Sequence, residues 1–220
     1  MITLRARNLS LNDVNRLLNL AEKLDEVSFT DLLTLEPITD LEQQEIAQIC
    51  DDFRPYVRAK KASEGQVKLL TVFPLLRLAG FYHYPIQINV EEGIDNIVIE
   101  DEDTTITGRF DIVAVNRNIF TTNNVPFWIL VIESKELGVD VLQGLSQLLA
   151  YAYNSLERQP SVWGMVTNGL QYLFVLIQQG NLPTYQLIMP RLDLFYSQQS
   201  VLLLQVLKAI CKLEFSSLKL

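Results

Sequence analysis

The sequence is poor in the residues from which many catalytic sites are made. It has one histidine, His83 in GFYHYP, which excludes multi-histidine metal sites and argues against a Ser/His/Asp triad. That residue reads as a helix-to-strand corner. The two cysteines, Cys50 and Cys211, are far apart and form no C-x-x-C pair, so neither a disulfide framework nor a zinc knuckle is expected, and both read as packing thiols. No apolar run approaches the roughly 18 residues of a membrane span, and MITLRARNLSLNDVNRLL lacks the apolar centre and cleavage site of a secretory signal. A soluble, cytoplasmic protein without membrane association is expected. No G-x-x-x-x-G-K-[ST] loop is present, so the chain carries no nucleotide-driven motor of that class. Positive charge is scarce too: 18 Lys and Arg stand against 26 Asp and Glu, a net charge of −8, whereas a phosphate-binding protein usually has a basic surplus.

What the chain does have is enough apolar material for one substantial core, 49% hydrophobic in 220 residues. Its basic residues gather in FRPYVRAKKASEGQVK, with Arg54, Arg58, Lys60, Lys61 and Lys68 close in sequence. Such a patch suits a nucleic-acid backbone locally, or forms an ordinary solvated face. The acidic run EDED at 100–103 reads as a solvated turn.

Apolar spacing predicts helices over 10–24 and 39–53, the second opened by Thr39 with Glu42 three positions on. A third helix is expected from about Ser63 to Gly80, with Glu64 in its first turn and Pro74 kinking or interrupting it. After Pro85 the texture becomes β-type: IQINV, NIVIE and the long TTITGRFDIVAV read as consecutive antiparallel strands. NRNIFTTNNVP is expected to be a hairpin loop leading into FWILVIES, whose unbroken hydrophobicity suits a central strand covered on both faces. A helix over 139–156 follows. Then SVWGMVTNGLQYLFVLIQ reads as two strands joined at Asn168-Gly169, and the tail YSQQSVLLLQVLKAICKLEF as a final amphipathic helix. The expected architecture is one compact α/β unit: a helical N-terminal extension over 1–58 packed on a core over 59–220.

Charged residues intrude into the two most apolar strands. Asp111 sits among Phe110, Ile112 and Val113, while Glu133 and Lys135 close the run Phe127–Ile132. Alternation along a strand points Glu133 and Lys135 to the same face. If 108–115 pairs antiparallel with 128–135 through the 116–126 loop, Asp111 meets Glu133 only when a twist or bulge offsets the register. Two carboxylates there would bind a hard divalent cation, and the adjacent lysine would orient or deprotonate a water, which is phosphodiester-hydrolysis chemistry.

Asp111 followed by IVAV, a hairpin, and Glu133-Ser134-Lys135 ending an apolar strand resembles the signature of the PD-(D/E)XK nuclease superfamily. Within it, the chain is similar to the N-terminal nuclease domain of type I restriction enzyme R subunits. Phe110 stands where the pattern often has proline. The helix running into Pro74-Leu75-Leu76 resembles the family's opening helix, Gln147 and Tyr151 in QLLAY its Q-x-x-x-Y element, and WGMVTNGLQYLFV its closing hairpin, over about residues 60–180. The resemblance implies a restriction-endonuclease-like core, a mixed central sheet flanked by helices, that hydrolyses DNA with Mg²⁺, or Mn²⁺ in its place. It implies metal binding by Asp111, Glu133, the Ser134 carbonyl and Glu64, and water positioning or charge stabilisation by Lys135. Arg58, Lys60, Lys61, Lys68, Gln147 and Tyr151 would face DNA. A protein partner supplying specificity or a motor, and a homodimer, both remain open. The competing expectation is a nuclease fold kept as a silent nucleic-acid-binding or protein-interaction module.

Overall fold

The computed structural model describes residues 2–94, 96–121 and 125–213. It is a mixed α/β protein in which a seven-stranded mixed sheet, ordered β2-β10-β9-β8-β7-β6-β3, is flanked by helices, with a three-stranded sheet, β1-β5-β4, beside it. In chain order the strands are β1 Ile2–Arg5, β2 Ala21–Lys23, β3 Ile86–Val90, β4 Ile97–Ile99, β5 Thr104–Thr107, β6 Ile112–Phe120, β7 Pro126–Ser134, β8 Ser161–Thr167, β9 Gln171–Gln178 and β10 Thr184–Asp193. The helices are α1 Leu11–Leu17, α2 Phe29–Leu32, α3 Asp40–Ala59, α4 Glu64–Val67, α5 Phe73–Ala79, α6 Leu145–Leu156 and α7 Ser197–Cys211. No helix among the described residues is long and apolar enough to cross a membrane.

Period-two alternation divides the large sheet into two apolar faces. Ile112, Ala114 and Ile132 point to the core shared with α3, α5 and α7, while Val113, Val115 and Val131 point to the core shared with α1, α6 and Ile106 of the small sheet. The β7 strand is central, antiparallel to β6 and parallel to β8, which is why its run carries no polar side chain before Glu133.

Several expected elements change their bounds. The helix expected over 10–24 ends at Leu17, because Asn19 turns left-handed (φ 50°) and the chain returns as β2, parallel to β10. With β1, this gives the first 58 residues strands in both sheets. The helix expected to stop at 53 runs on through Pro55 to Ala59 and is ended by Lys60 in the left-handed region. Between α4 and α5 a π turn, Lys68–Val72, widens the helix just before Pro74, with the Phe73 N–H on the Lys68 carbonyl. The helix therefore accommodates Pro74 without ending.

The strand expected over 104–115 is two strands in different sheets. The break is at Gly108, where a Cβ would lie 2.5 Å from Tyr151 Cε1. For this reason the expected three-strand meander does not form: β3 pairs with β6, and β4 with β5. The hairpin loop is shorter than expected, since β6 reaches Phe120 and β7 starts at Pro126; residues 122–124 lie outside the described residues. The Asn168-Gly169 hairpin forms as expected, with Gly169 at φ +84° against Phe53. The final helix ends at Cys211, and residues 214–215 of its expected range are outside those described. An unforeseen strand, β10, carries Pro190 at a register irregularity between Ile188 and Leu192, where its missing N–H interrupts no regular pairing. Cys50 is buried, its thiol on the Leu194 carbonyl, and both cysteines are free. His83 is exposed in the corner between α5 and β3, and 100–102 form an exposed 3-10 turn.

Candidate functional site

The offset needed to join the two strand motifs is present. Pairing between β6 and β7 shifts between Asn116 and Phe120 and again between Ala114 and Val115, after which Ile112 pairs with Ile132. One step further brings Asp111 opposite Glu133, whose side chain lies on the face covered by α6, against Gly144. Strand β7 remains tied at this end, because the Lys135 N–H bonds the Thr167 carbonyl of β8.

The two carboxylates are held differently. Asp111 is half-buried and well satisfied: Oδ2 accepts from the Ser134 N–H at 2.7 Å and the Ser134 hydroxyl at 2.6 Å, and Oδ1 from Lys68 Nζ at 3.3 Å. Glu133 is 2% exposed. Its Oε1 accepts from Lys135 Nζ at 2.7 Å, while its Oε2 is buried with no hydrogen-bond partner among the described residues. Burial, helped by the Asp111 charge and more weakly by Glu64, pushes its pKa up to about 8 despite Lys135.

Lys135 continues the network by donating to Gln147 Oε1 at 3.1 Å, and Gln147 Nε2 donates to the Tyr151 hydroxyl at 2.9 Å. Gln147 and Tyr151 are one helical turn apart on α6 and so share a face. Gly144, which precedes that helix, makes the close approach possible: a Cβ there would stand 2.6 Å from Val166 Cγ1, 3.1 Å from Lys135 Cε and 3.2 Å from Glu133 Cγ. Burial, with the nearby Glu133 charge, pushes the Tyr151 hydroxyl up to about 12, so it is a neutral donor at physiological pH.

The structure thus brings together Asp111, Glu133, Ser134, Lys135, Gln147 and Tyr151. Glu64 opens α4 behind the Ser63 cap, exposed and near enough for its charge to be felt at Glu133. Among the described residues no group of three or more His, Cys, Asp or Glu side chains is gathered to hold a metal ion. The donor set nevertheless fits a hard cation in part: the orphaned Glu133 Oε2 and the Asp111 carboxylate are oxygen donors at the same end of β6 and β7.

The basic cluster separates. Arg58, Lys60 and Lys61 are exposed at the end of α3 and just beyond it. Lys68 is not available for phosphate: it is 9% exposed and donates to Glu91 at 3.0 Å as well as to Asp111. Burial opposes its charge, but the hydrogen bond to Glu91 together with Asp111 outweighs this and leaves its pKa raised. Lys68 is therefore an internal counter-ion, placed by the π turn. Three residues that sequence reasoning passed over, Arg5, Arg7 and Arg109, line a cleft of about 540 Å³ bounded by Gln147 and Tyr151. Compared with known proteins, the sequence matches no protein-family model and no curated protein.

Proposed function

We propose that the protein is a metal-dependent deoxyribonuclease, hydrolysing DNA phosphodiesters on a restriction-endonuclease-like core. The observation that carries this reading is the orphaned, buried Oε2 of Glu133, whose other carboxylate oxygen, Oε1, accepts from Lys135 at 2.7 Å. An apolar residue would be the cheaper occupant of that position, since a buried carboxylate lacking a full set of partners costs several kcal/mol.

Asp111, Glu133 and the Ser134 carbonyl would hold Mg²⁺, or Mn²⁺ in its place, with Glu64 reaching it directly or through water. When bound, the ion would neutralise charge on the phosphate and acidify the attacking water. Lys135, fixed between Glu133 and Gln147, would orient that water for in-line attack and stabilise the negative charge on the phosphoryl oxygens as the new O–P bond forms, before the P–O bond to the leaving strand breaks and its oxygen takes a proton from solvent. Gly144 lets α6 press close enough to hold Lys135 in place.

One observation favours a second reading, a silent nuclease fold serving as a nucleic-acid-binding or protein-interaction module. Lys68 and Ser134 already satisfy Asp111, as they would in a protein that never binds metal. Incubating purified protein with DNA and Mg²⁺ or Mn²⁺ separates the two. Wild type should cleave, and Lys135→Ala should lose about 100-fold or more in rate while still folding, as a cooperative thermal melt would check. Full activity in Lys135→Ala would overturn the assigned role. DNA binding without cleavage by wild type would leave the module reading.

A further inference from the structure

The cleft beside the site is made by parts of the chain far apart in sequence. Parallel pairing of β1 with β5 sets Arg5 beside Thr107. The 3-10 turn Ala6–Asn8 then packs against α6 with Ala6 buried beneath it and Arg7 exposed. Arg109 projects from the link between β5 and β6, just past the point where Gly108 lies against the Tyr151 ring.

These arginines differ from others in the chain. Arg16 pairs with Glu102, Arg54 with Asp51 at 3.2 Å, Arg77 with Glu45 at 3.1 Å and Arg191 with Asp140 at 3.7 Å. Arg5 and Arg7 are exposed and have no acidic partner among the described residues, and Arg109 has only a distant one, Glu91 at 3.6 Å. In a protein of net charge −8, a cleft holding three weakly paired guanidinium groups is a local reversal of sign. Guanidinium forks match phosphate oxygens geometrically and are less strongly hydrated than ammonium groups.

The floor of the cleft adds a directed donor. Lys135 can only donate, so the Gln147 oxygen must face it and the Gln147 NH₂ must face Tyr151. The Tyr151 hydroxyl oxygen therefore accepts from Gln147, and the Arg109 backbone lies close to it. Its hydrogen is left to donate, and what the cleft presents around it is cationic. An acceptor of negative charge completes both.

We infer that the Arg5–Arg7–Arg109 cleft binds a phosphate of a nucleic-acid strand and leads that strand past Tyr151 and Gln147 to Lys135. Placing the strand's destination at Lys135 rests on the hydrolase reading; phosphate binding in the cleft does not. Arg58, Lys60 and Lys61, exposed at the end of α3 and just beyond it, do not line this cleft and are then secondary to it.

The test uses the full chain and a fluorescein-labelled single-stranded oligonucleotide in chelator, with affinity measured by anisotropy across a salt series. For single strands each phosphate contact adds about 0.7 to the slope of log affinity against log salt. Arg5→Gln with Arg7→Gln should therefore flatten the slope by roughly 1.4 and weaken binding at every salt concentration. Arg5→Lys with Arg7→Lys, which keeps the charges, should restore most of the slope. If the double glutamine variant does not fold, Arg7→Gln alone should flatten the slope by about half as much. Wild type that fails to bind, or either glutamine variant keeping the wild-type slope while folded, overturns the inference. The outcomes also separate it from the hydrolase reading. Arginine-dependent binding by a wild type that cleaves nothing supports the cleft and defeats the hydrolase. Cleavage with unchanged KM in the double glutamine variant supports the hydrolase and defeats the cleft.

Discussion

The two faces of the large sheet are made by alternate residues of the same strands, and they end differently. Towards α3, α5 and α7, the β6 and β7 strands present Ile112, Ala114, Ile132 and Leu130, all fully buried. Towards α6 they present Val113, Val115 and Val131, and then Glu133, with Lys135 against Gly144 and Asp111 just past the strand ends. The sheet needs apolar contact on both sides, and the first face shows that nothing in this geometry calls for charge. The carboxylates on the second face are thus an added cost, retained at one end of one face.

Moving a charge across the sheet should break this comparison most severely. Ala114 is fully buried and pairs with Leu130 in the dry face. Ala114→Asp would put a carboxylate there with no lysine or serine beside it, and should cost about 4 kcal/mol or more, a large fraction of the total stability of an ordinary domain. Glu133→Gln, one strand away on the other face, should leave the metal-free protein as stable as wild type or more so at pH 8. Comparable losses in chemical denaturation of the two variants would mean that the faces are not distinct in this way.

The pH dependence of stability sharpens the contrast. Burial pushes the folded Glu133 carboxyl up to about 8, against an ordinary value of 4.5, so the native state holds a proton that the unfolded chain has released. Between those values the unfolded state binds fewer protons and stability falls as pH rises. The contribution is complete below pH 4.5 and gone above pH 8, and amounts to a few kcal/mol at about 1.4 kcal/mol per unit. Wild type in chelator should therefore lose stability from pH 5 to 8, and Glu133→Gln should lose markedly less. Parallel profiles for the two proteins would remove Glu133 as the source. Asp111→Asn should behave otherwise and destabilise, since it weakens two short bonds from Ser134 and the ion pair with Lys68.

These contrasts mark what was legible in the sequence. The placing of Glu133 with Lys135, and of Gln147 with Tyr151, follows from the periods of strand and helix, which are local. The gathering of Asp111 with Glu133 required an offset that sequence could demand but not locate; two irregularities in the β6–β7 ladder supply it. Lys68 was misread as a surface cation because its partners, Glu91 and Asp111, reach it only through the tertiary fold. Arg5, Arg7 and Arg109 were missed because a parallel pairing between β1 and β5 assembles their cleft, and no local pattern announces such a pairing. The alternation in ITLR and TTIT was the one signal available. The strand β10 was hidden by its prolines, which mark breaks in most contexts and here sit at its start and its bulge.

The smallest expected effect concerns what the charged face is for. If Asp111 and Glu133 jointly accept a cation, Mg²⁺ or Mn²⁺ should relieve the repulsion between them and supply the partner that Glu133 Oε2 lacks. A ligand at a hundred times its dissociation constant adds about 2.7 kcal/mol, a rise of several degrees in melting temperature for a chain of this size. At pH 8 wild type should show that rise, whereas Glu133→Gln and Asp111→Asn should show little of it. Ala114→Val, a change confined to the dry face, should alter the baseline melting temperature and leave the metal-induced rise intact. The comparison matters because metal also binds loosely to any acidic surface, and a net charge of −8 provides one. Loose binding would raise all four proteins equally, so only a rise lost with either carboxylate, and kept when the opposite face is changed, assigns the ion to this end of β6 and β7.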